Sequence, residues 1–280
     1  GVVPYELTEK QVLEAAKFAW EAKYGSLVLQ AGERSNLKYI SKVTKLVKMI
    51  KEMSDGEMGI TLSLGEQSKE VYQEWFDAGA HRYLLRIESS NPDLYRKIHP
   101  NNSLHSWENR VKAILNLKEI GYQTGTGVMI GMPYQTNTHL ADDLLFIKEI
   151  GVHMVGMGPY LRHSQTPMGS IEIEEPNLTL TLKMVALLRL LMPKINIAAT
   201  TAMQVIEELG RERAIMAGAN IVMPNITTTE VRKEYQIYEN KPGIEEDAAI
   251  SKGKIEEHLS KMGIEIGWQE WGDSKAFKEG

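Results

Sequence analysis

The residues best suited to chemistry in this sequence come in short groups. Gly32-Glu33 and Gly65-Glu66 each place a glycine before a carboxylate, Arg86 and Glu88 stand two apart, and Thr61-x-Ser63 and Thr200-Thr201 supply paired hydroxyls. A glycine lets a ligand approach the backbone, and a carboxylate beside it accepts hydrogen bonds from an ammonium or hydroxyl group. Each Gly-Glu pair also reads as a turn glycine beside an acid favoured at a helix N-terminus, which for either pair alone is the commoner case. On a strand, Arg86 and Glu88 point the same way, so the arginine can bind an anionic group while the carboxylate holds a sugar hydroxyl; a buried structural ion pair is the alternative. Arg110 opens a helical stretch and can grip a carboxylate, or simply be an exposed helical arginine. The threonine hydroxyls have no adjacent base and therefore orient a ligand rather than attack it. No histidine pair has metal-ligand spacing, and His163 stands alone in a loop. Of 14 methionines only Met132 and Met223 fall where apolar runs end, and packing is the stronger expectation for both. The chain has no cysteine, so it contains no disulfide, no thiolate nucleophile and no cysteine ligand for a cluster.

The elements that position these groups form a ladder. Seven apolar runs, at 26–29, 58–64, 82–85, 125–130, 154–157, 196–199 and 219–222, end in polar or glycine residues, and six lead into a helical pattern. Continuous apolar runs are the mark of parallel strands covered on both faces, and in a β/α barrel the loops after the strands build the active site. Helical periodicity predicts helices at 9–23, 36–53, 68–78, 107–120, 137–150, 178–191 and 205–217, with Thr8 as an N-cap and Gly79, Gly121, Gly151 and Gly218 as stops. The expected fold is an α/β (β/α)8 TIM-type barrel. A helix comes first and only seven strands follow, so the first strand of a closed barrel is expected to precede Gly1. Residues 1–225 would form strands two to eight, and 226–280, with a polar helix near 245–262, would cap one end of the same domain.

Composition narrows the function. Thirty-two basic against 37 acidic residues, interspersed, give a net charge of -5 and no basic field for nucleic acid. No apolar stretch reaches the roughly 18 residues of a membrane span and no signal-peptide pattern opens the chain, so a cytosolic location is expected.

At these same strand ends the sequence resembles the HydE family, the radical S-adenosylmethionine maturases of FeFe-hydrogenase. The resemblance rests on residues 28–33 (Val-Leu-Gln-Ala-Gly-Glu), 61–66 (Thr-Leu-Ser-Leu-Gly-Glu), 82–86 with Glu88, 178–187, 199–203 (Ala-Thr-Thr-Ala-Met) and 218–225, and runs over nearly the whole chain. It implies a full barrel whose first strand leads into a CxxxCxxC loop holding a 4Fe-4S cluster that cleaves S-adenosylmethionine. By that likeness this chain begins just after the cluster loop and is inactive alone. The likeness also implies that Gln30, Ala31 and Gly32 line the methionyl end of S-adenosylmethionine, that Arg110 pairs with its carboxylate, that Glu88 holds the ribose, and that Met223 and Tyr235 lie beside the adenosyl group. Thr61, Arg86, Thr200, Thr201 and Tyr238 would face the substrate. In the family that substrate is a cysteine-bound iron carbonyl cyanide unit, attacked at sulfur by a 5'-deoxyadenosyl radical, with the maturases HydG and HydF as partners. Two departures stand out: Ile87 occupies a place where the family usually has histidine, read here as a change in wall polarity, and 101–106 is slightly long. The alternatives are a methylornithine-synthase-like or biotin-synthase-like radical enzyme, and a cluster-free barrel that binds a small anion or nucleoside.

Overall fold

Seven parallel strands, paired in the order of the chain, make one sheet: β1 (Ser26–Gln30), β2 (Gly59–Ser63), β3 (Arg82–Leu84), β4 (Gln123–Ile130), β5 (Met154–Pro159), β6 (Asn196–Ala199) and β7 (Ile221–Val222). The structure is a computed structural model, and it describes residues 6–100, 102, 105–173, 178–227 and 248–280. Every strand lies within two residues of its predicted place, and the sheet is the curled parallel sheet expected from the apolar runs.

Helices return the chain between strands. They are α1 (Glu9–Glu21), α2 (Leu37–Met53), α3 (Lys69–Asp77), α4 (Pro92–Ile98), α5 (Trp107–Ile120), α6 (Asn137–Ile150), α7 (Leu178–Leu191), α8 (Thr201–Ile206) and α9 (Gly210–Met216), with α10 (Ala248–Lys261) and α11 (Lys275–Lys278) after the sheet. Local chemistry sets their ends. Thr8 and Thr136 close capping boxes, Ser106 accepts from the Asn109 amide, and Gly121 ends α5 at φ 107°.

Two helical expectations need correction. The predicted helix over 205–217 is two helices, because Glu207 turns extended and Gly210 packs so closely on α8 that an added Cβ would lie 2.1 Å from the Met203 carbonyl oxygen. Helix α4 was not expected, although Asn91 as N-cap and Pro92 in the first turn signal it.

The apolar core lies between sheet and helices. Tyr83 of β3, fully buried, packs edge-on against Tyr72 at 4.9 Å and Tyr122 at 5.7 Å. Strand alternation turns the other residues of each strand to the concave face, where register aligns Val28 with Thr61 and Arg82, and Gly127 with Gly156, Ala198 and Ile221.

The C-terminal segment runs across the opposite end from the site, against the first residues of the strands. Gln269 N donates to the Lys23 carbonyl, Asn196 Nδ2 to the Gly272 carbonyl at 2.6 Å, and Ser274 N to Gln123 Oε1 at 2.8 Å. Arg82, almost fully buried, reaches down to the Trp271 carbonyl at 2.5 Å and to Asp273 at 3.2 Å.

Candidate functional site

At the ends of β1 and β2 the two Gly-Glu pairs meet one arginine. Arg110, on the first turn of α5 and 7% exposed, donates from Nη2 to Glu33 Oε1 at 2.9 Å, and its Nε lies 2.6 Å from Glu66 Oε1. The second contact is a charge contact at poor angle rather than an aligned hydrogen bond, since neither atom has a well-oriented partner. Burial pushes the Glu66 carboxyl up, Arg110 opposes that, and the Glu33 charge reinforces it. Burial works against the Arg110 charge as well, but Glu66 and Glu33 outweigh it and hold the guanidinium above its ordinary value. With all three groups charged, two carboxylates share one guanidinium and the cluster keeps a net negative charge.

Each glycine of these pairs has its own reason. Gly65 sits at φ 77°, and a Cβ there would fall 1.9 Å from Glu33 Cγ, so the Glu33 side chain can cross to Arg110 only because residue 65 has none. Gly32 is different: an added Cβ would meet nothing within 4 Å, so its backbone faces open space at the mouth. Gln30 closes β1 opposite Ser63, and the Ala31 amide extends that ladder to the Ser63 carbonyl at 3.2 Å.

Past the end of β3, Arg86 and Glu88 form a fork, Nε to Oε1 at 2.6 Å and Nη2 to Oε2 at 2.9 Å. Arg86 Nη1 also donates to the Gly156 carbonyl at 3.0 Å. The guanidinium lies over the Gly127–Gly156 rung, where a Cβ on either glycine would make ordinary contact with Arg86 Nη1, at 3.4 or 3.5 Å, while a Cβ on Gly127 would collide with the Gly156 carbonyl. Glu88 takes φ 61°, a left-handed conformation for a residue with a side chain, and its amide donates to the Gly127 carbonyl at 2.9 Å. Ile87 between them is fully buried in the apolar core. It is therefore not part of the cavity wall, which corrects the reading of that position as a change in wall polarity.

The remaining expected residues are distributed around this centre. Thr200 stands at the N-cap position of α8 with its hydroxyl 3.4 Å from the Met157 carbonyl, and Thr201 is half-buried beside it. Thr61 lies deeper, 7% exposed, with its hydroxyl accepting from Arg82 Nε at 3.0 Å. Met223 follows β7 with 41% of its surface exposed. Tyr235 and Tyr238 lie outside the described residues.

Several groups at the site were not singled out from sequence. His99, stacked on Tyr95 at 3.7 Å between ring centroids, places Nδ1 3.0 Å from the Tyr95 carbonyl. A carbonyl only accepts, so Nδ1 carries the proton and the neutral ring presents Nε2 as an acceptor. Asp143, fully buried on α6, holds the loop after Glu88. Its signal was a carboxylate on the apolar face set by Leu140, Leu144 and Ile147. A separate groove of about 640 Å³ on the outer face of α2 and α3 is lined by side chains of both charges, Lys48, Lys69, Glu70 and Glu74 among others.

Comparison with known proteins gives the family. The Radical SAM superfamily profile matches residues 1–147. The chain is 43% identical over 276 residues to the [FeFe] hydrogenase maturase subunit HydE of Thermotoga maritima, covering 98% of this chain and 76% of that protein. This chain belongs to the radical SAM superfamily, in its HydE family. It is also 29% identical over 211 residues to a biotin synthase of Trichodesmium erythraeum, covering 74% of this chain and 53% of that one. Among solved structures, methylornithine synthase (PylB) superposes with a TM-score of 0.78 at 23% identity, over 95% of this chain and 75% of that one, which is a likeness of fold. The radical SAM family implies S-adenosylmethionine and a 4Fe-4S cluster, whereas these 280 residues hold no cysteine to ligate one. Among the described residues no helix is long and apolar enough to cross a membrane.

Proposed function

We propose that the strand ends of this chain bind S-adenosylmethionine and an organometallic substrate for FeFe-hydrogenase maturation. The observation that carries the reading is the pairing, on one concave mouth, of the net-negative Glu33–Arg110–Glu66 cluster with the Arg86–Glu88 ion pair. The donor set fits the cofactor. Its ammonium group suits a cluster with a net negative charge beside the open backbone of Gly32, its ribose diol suits the Glu88 carboxylate, and its adenosyl face suits the exposed Met223.

When bound, S-adenosylmethionine and a reduced 4Fe-4S cluster supply a 5'-deoxyadenosyl radical. The residues of this chain bind and orient. Gln30, Ala31 and Gly32 line the methionyl end, while Arg110, held in place by Glu33 and Glu66, pairs with the ligand carboxylate. Arg86, held by the Glu88 carboxylate and the Gly156 carbonyl, forms part of the substrate side of the mouth, and Thr200 and Thr201 donate hydroxyls to the substrate. Thr61 bounds the floor of the cavity through Arg82. Tyr235 and Tyr238 complete the adenosyl and substrate sides of this proposal. The substrate class is a cysteine-bound iron carbonyl cyanide unit, the partners are HydG and HydF, and the setting is the cytoplasm, with residues 226–280 capping the barrel. The identity of 43% to a HydE against 29% to a biotin synthase favours this reading over the sister activity.

Calorimetric titration with S-adenosylhomocysteine, which needs no iron, tests it. The chain should bind the nucleoside, and Glu88→Ala should weaken binding by roughly tenfold or more, the loss of a charge-assisted pair. Equal affinity in both proteins would remove Glu88 from the site and the proposal with it.

A further inference from the structure

Glu88 is held in its left-handed conformation from two sides. Toward β4, the Ile87 amide donates to Thr126 Oγ1 at 3.1 Å and the Glu88 amide to the Gly127 carbonyl at 2.9 Å. Toward α6, Asp143 Oδ1 accepts both from the Ser90 amide at 2.7 Å and from the Ser90 hydroxyl at 2.6 Å. Ser89, between them, is fully buried, and Asn91 beyond Ser90 is fixed as the N-cap of α4 by the Asp93 and Leu94 amides. A residue with a Cβ at φ 61° is strained and persists only where its surroundings over-determine it.

We propose that Asp143 is a positioning residue for Glu88: by anchoring Ser90 to α6 it keeps the backbone of Glu88 left-handed and its carboxylate on Arg86, at the mouth. The inference rests on Glu88 being the ribose-holding carboxylate. Asp143 is a carboxylate on the apolar face of its helix, an expensive choice unless it performs a task. Its Oδ1 takes both Ser90 bonds, while Oδ2, also buried, has no hydrogen-bond partner among the described residues. Without Asp143 the Ser90 amide and hydroxyl lose their acceptor, one side of the restraint is gone, and Glu88 relaxes toward an ordinary conformation that draws its carboxylate off the fork. An asparagine keeps the Oδ1 acceptor for both Ser90 bonds, as a neutral one, and places its NH2 where Oδ2 stands, so it preserves the anchor better than alanine does.

The experiment compares wild type, Asp143→Ala, Asp143→Asn, Glu88→Ala and the double variant Asp143→Ala/Glu88→Ala in the full chain, titrated with S-adenosylhomocysteine. Asp143→Ala should weaken binding by about tenfold, Asp143→Asn by less than about threefold, and the double variant should bind no more weakly than Glu88→Ala alone. A residue that merely supports the fold would lower affinity in both backgrounds, and that additivity overturns the inference. Hydrogen exchange without ligand gives an independent reading. Segment 86–91 should exchange faster in Asp143→Ala while α6 is unchanged, and unaltered exchange there overturns the proposal even if the nucleoside binds elsewhere. Should Asp143→Ala not fold, Ser90→Ala, which removes one of the two bonds without touching α6, should show the same exchange pattern at smaller size. Glu88→Ala binding like wild type would instead refute the functional reading, and the exchange result would still judge Asp143.

Discussion

Glu33 reaches Arg110 by crossing over Gly65, with its Cγ 1.9 Å from where a Cβ on residue 65 would stand. The two Gly-Glu pairs are thus one device: the glycine of the second makes room for the carboxylate of the first. Gly65→Ala must displace Glu33 and strain a backbone at φ 77°. It should cost about 1–3 kcal/mol of stability and, with Glu33 off Arg110, weaken nucleoside binding severalfold. Urea denaturation and calorimetric titration of the one variant check both halves.

The bare rung behind Arg86 gives a contrast between neighbours. A Cβ on Gly127 would lie 2.1 Å from the Gly156 carbonyl oxygen, so Gly127→Ala forces two strands apart. A Cβ on Gly156 has Arg86 Nη1 at 3.5 Å as its near neighbour, an ordinary contact. Gly156→Ala should therefore fold with stability within about 1 kcal/mol of wild type, while Gly127→Ala loses about 2 kcal/mol or more. Equal losses in thermal denaturation would contradict this account of the rung.

The far end of the barrel carries a stability prediction. Arg82 is buried with Asp273, the Trp271 carbonyl and Thr61 as partners. Asp273→Ala removes the counter-charge and should cost about 3 kcal/mol, the low end for stranding a buried charge because two neutral acceptors remain. Chemical denaturation measures it, and a cost below about 1 kcal/mol would mean that the C-terminal segment is weakly docked.

Acid should loosen the same region. Burial first, then the charges of Arg82 and Lys51, lower His81, against the pull of Asp273, and burial first, then the Lys118 charge, also lowers His153 at the same end. In the unfolded chain these rings titrate near about 6.5, so below that pH the unfolded state binds more protons than the folded one. Their contribution is complete above the unfolded value and is lost as pH falls through the lower folded values. Burial alone would raise Asp273, but the His81 hydrogen bond and the His81 and Arg82 charges hold it below its ordinary value, so its contribution is lost only in the lower carboxylate range. Stability should fall between about pH 7 and about pH 5, and His81→Gln, which can still donate to Asp273, should make that fall shallower.

The sheet was legible in the sequence because buried parallel strands leave unbroken apolar runs, and 26–29 and 196–199 carry no competing pattern. The split between α8 and α9 was not, because it depends on Gly210 meeting the Met203 carbonyl, a contact that no periodicity encodes. At the site, spacing two brought out Arg86 and Glu88 as a pair, and the two Gly-Glu pairs stood out as motifs. Their convergence on Arg110 joins residues 77 apart, and Arg82 meets Asp273 across 191, distances at which local pattern is silent. Ile87 shows the opposite failure. Placed between two site residues, it looked like wall, but its side chain is fully buried in the apolar core.

The central claim, that an adenosyl ligand sits across these strand ends, is tested most directly by a crystal structure of the chain with S-adenosylhomocysteine. The account predicts the ribose hydroxyls within hydrogen-bond distance of the Glu88 carboxylate and the amino-acid end beside Gly32 and the Glu33–Arg110–Glu66 cluster. A nucleoside bound elsewhere, or with its ribose turned away from Glu88, would contradict it.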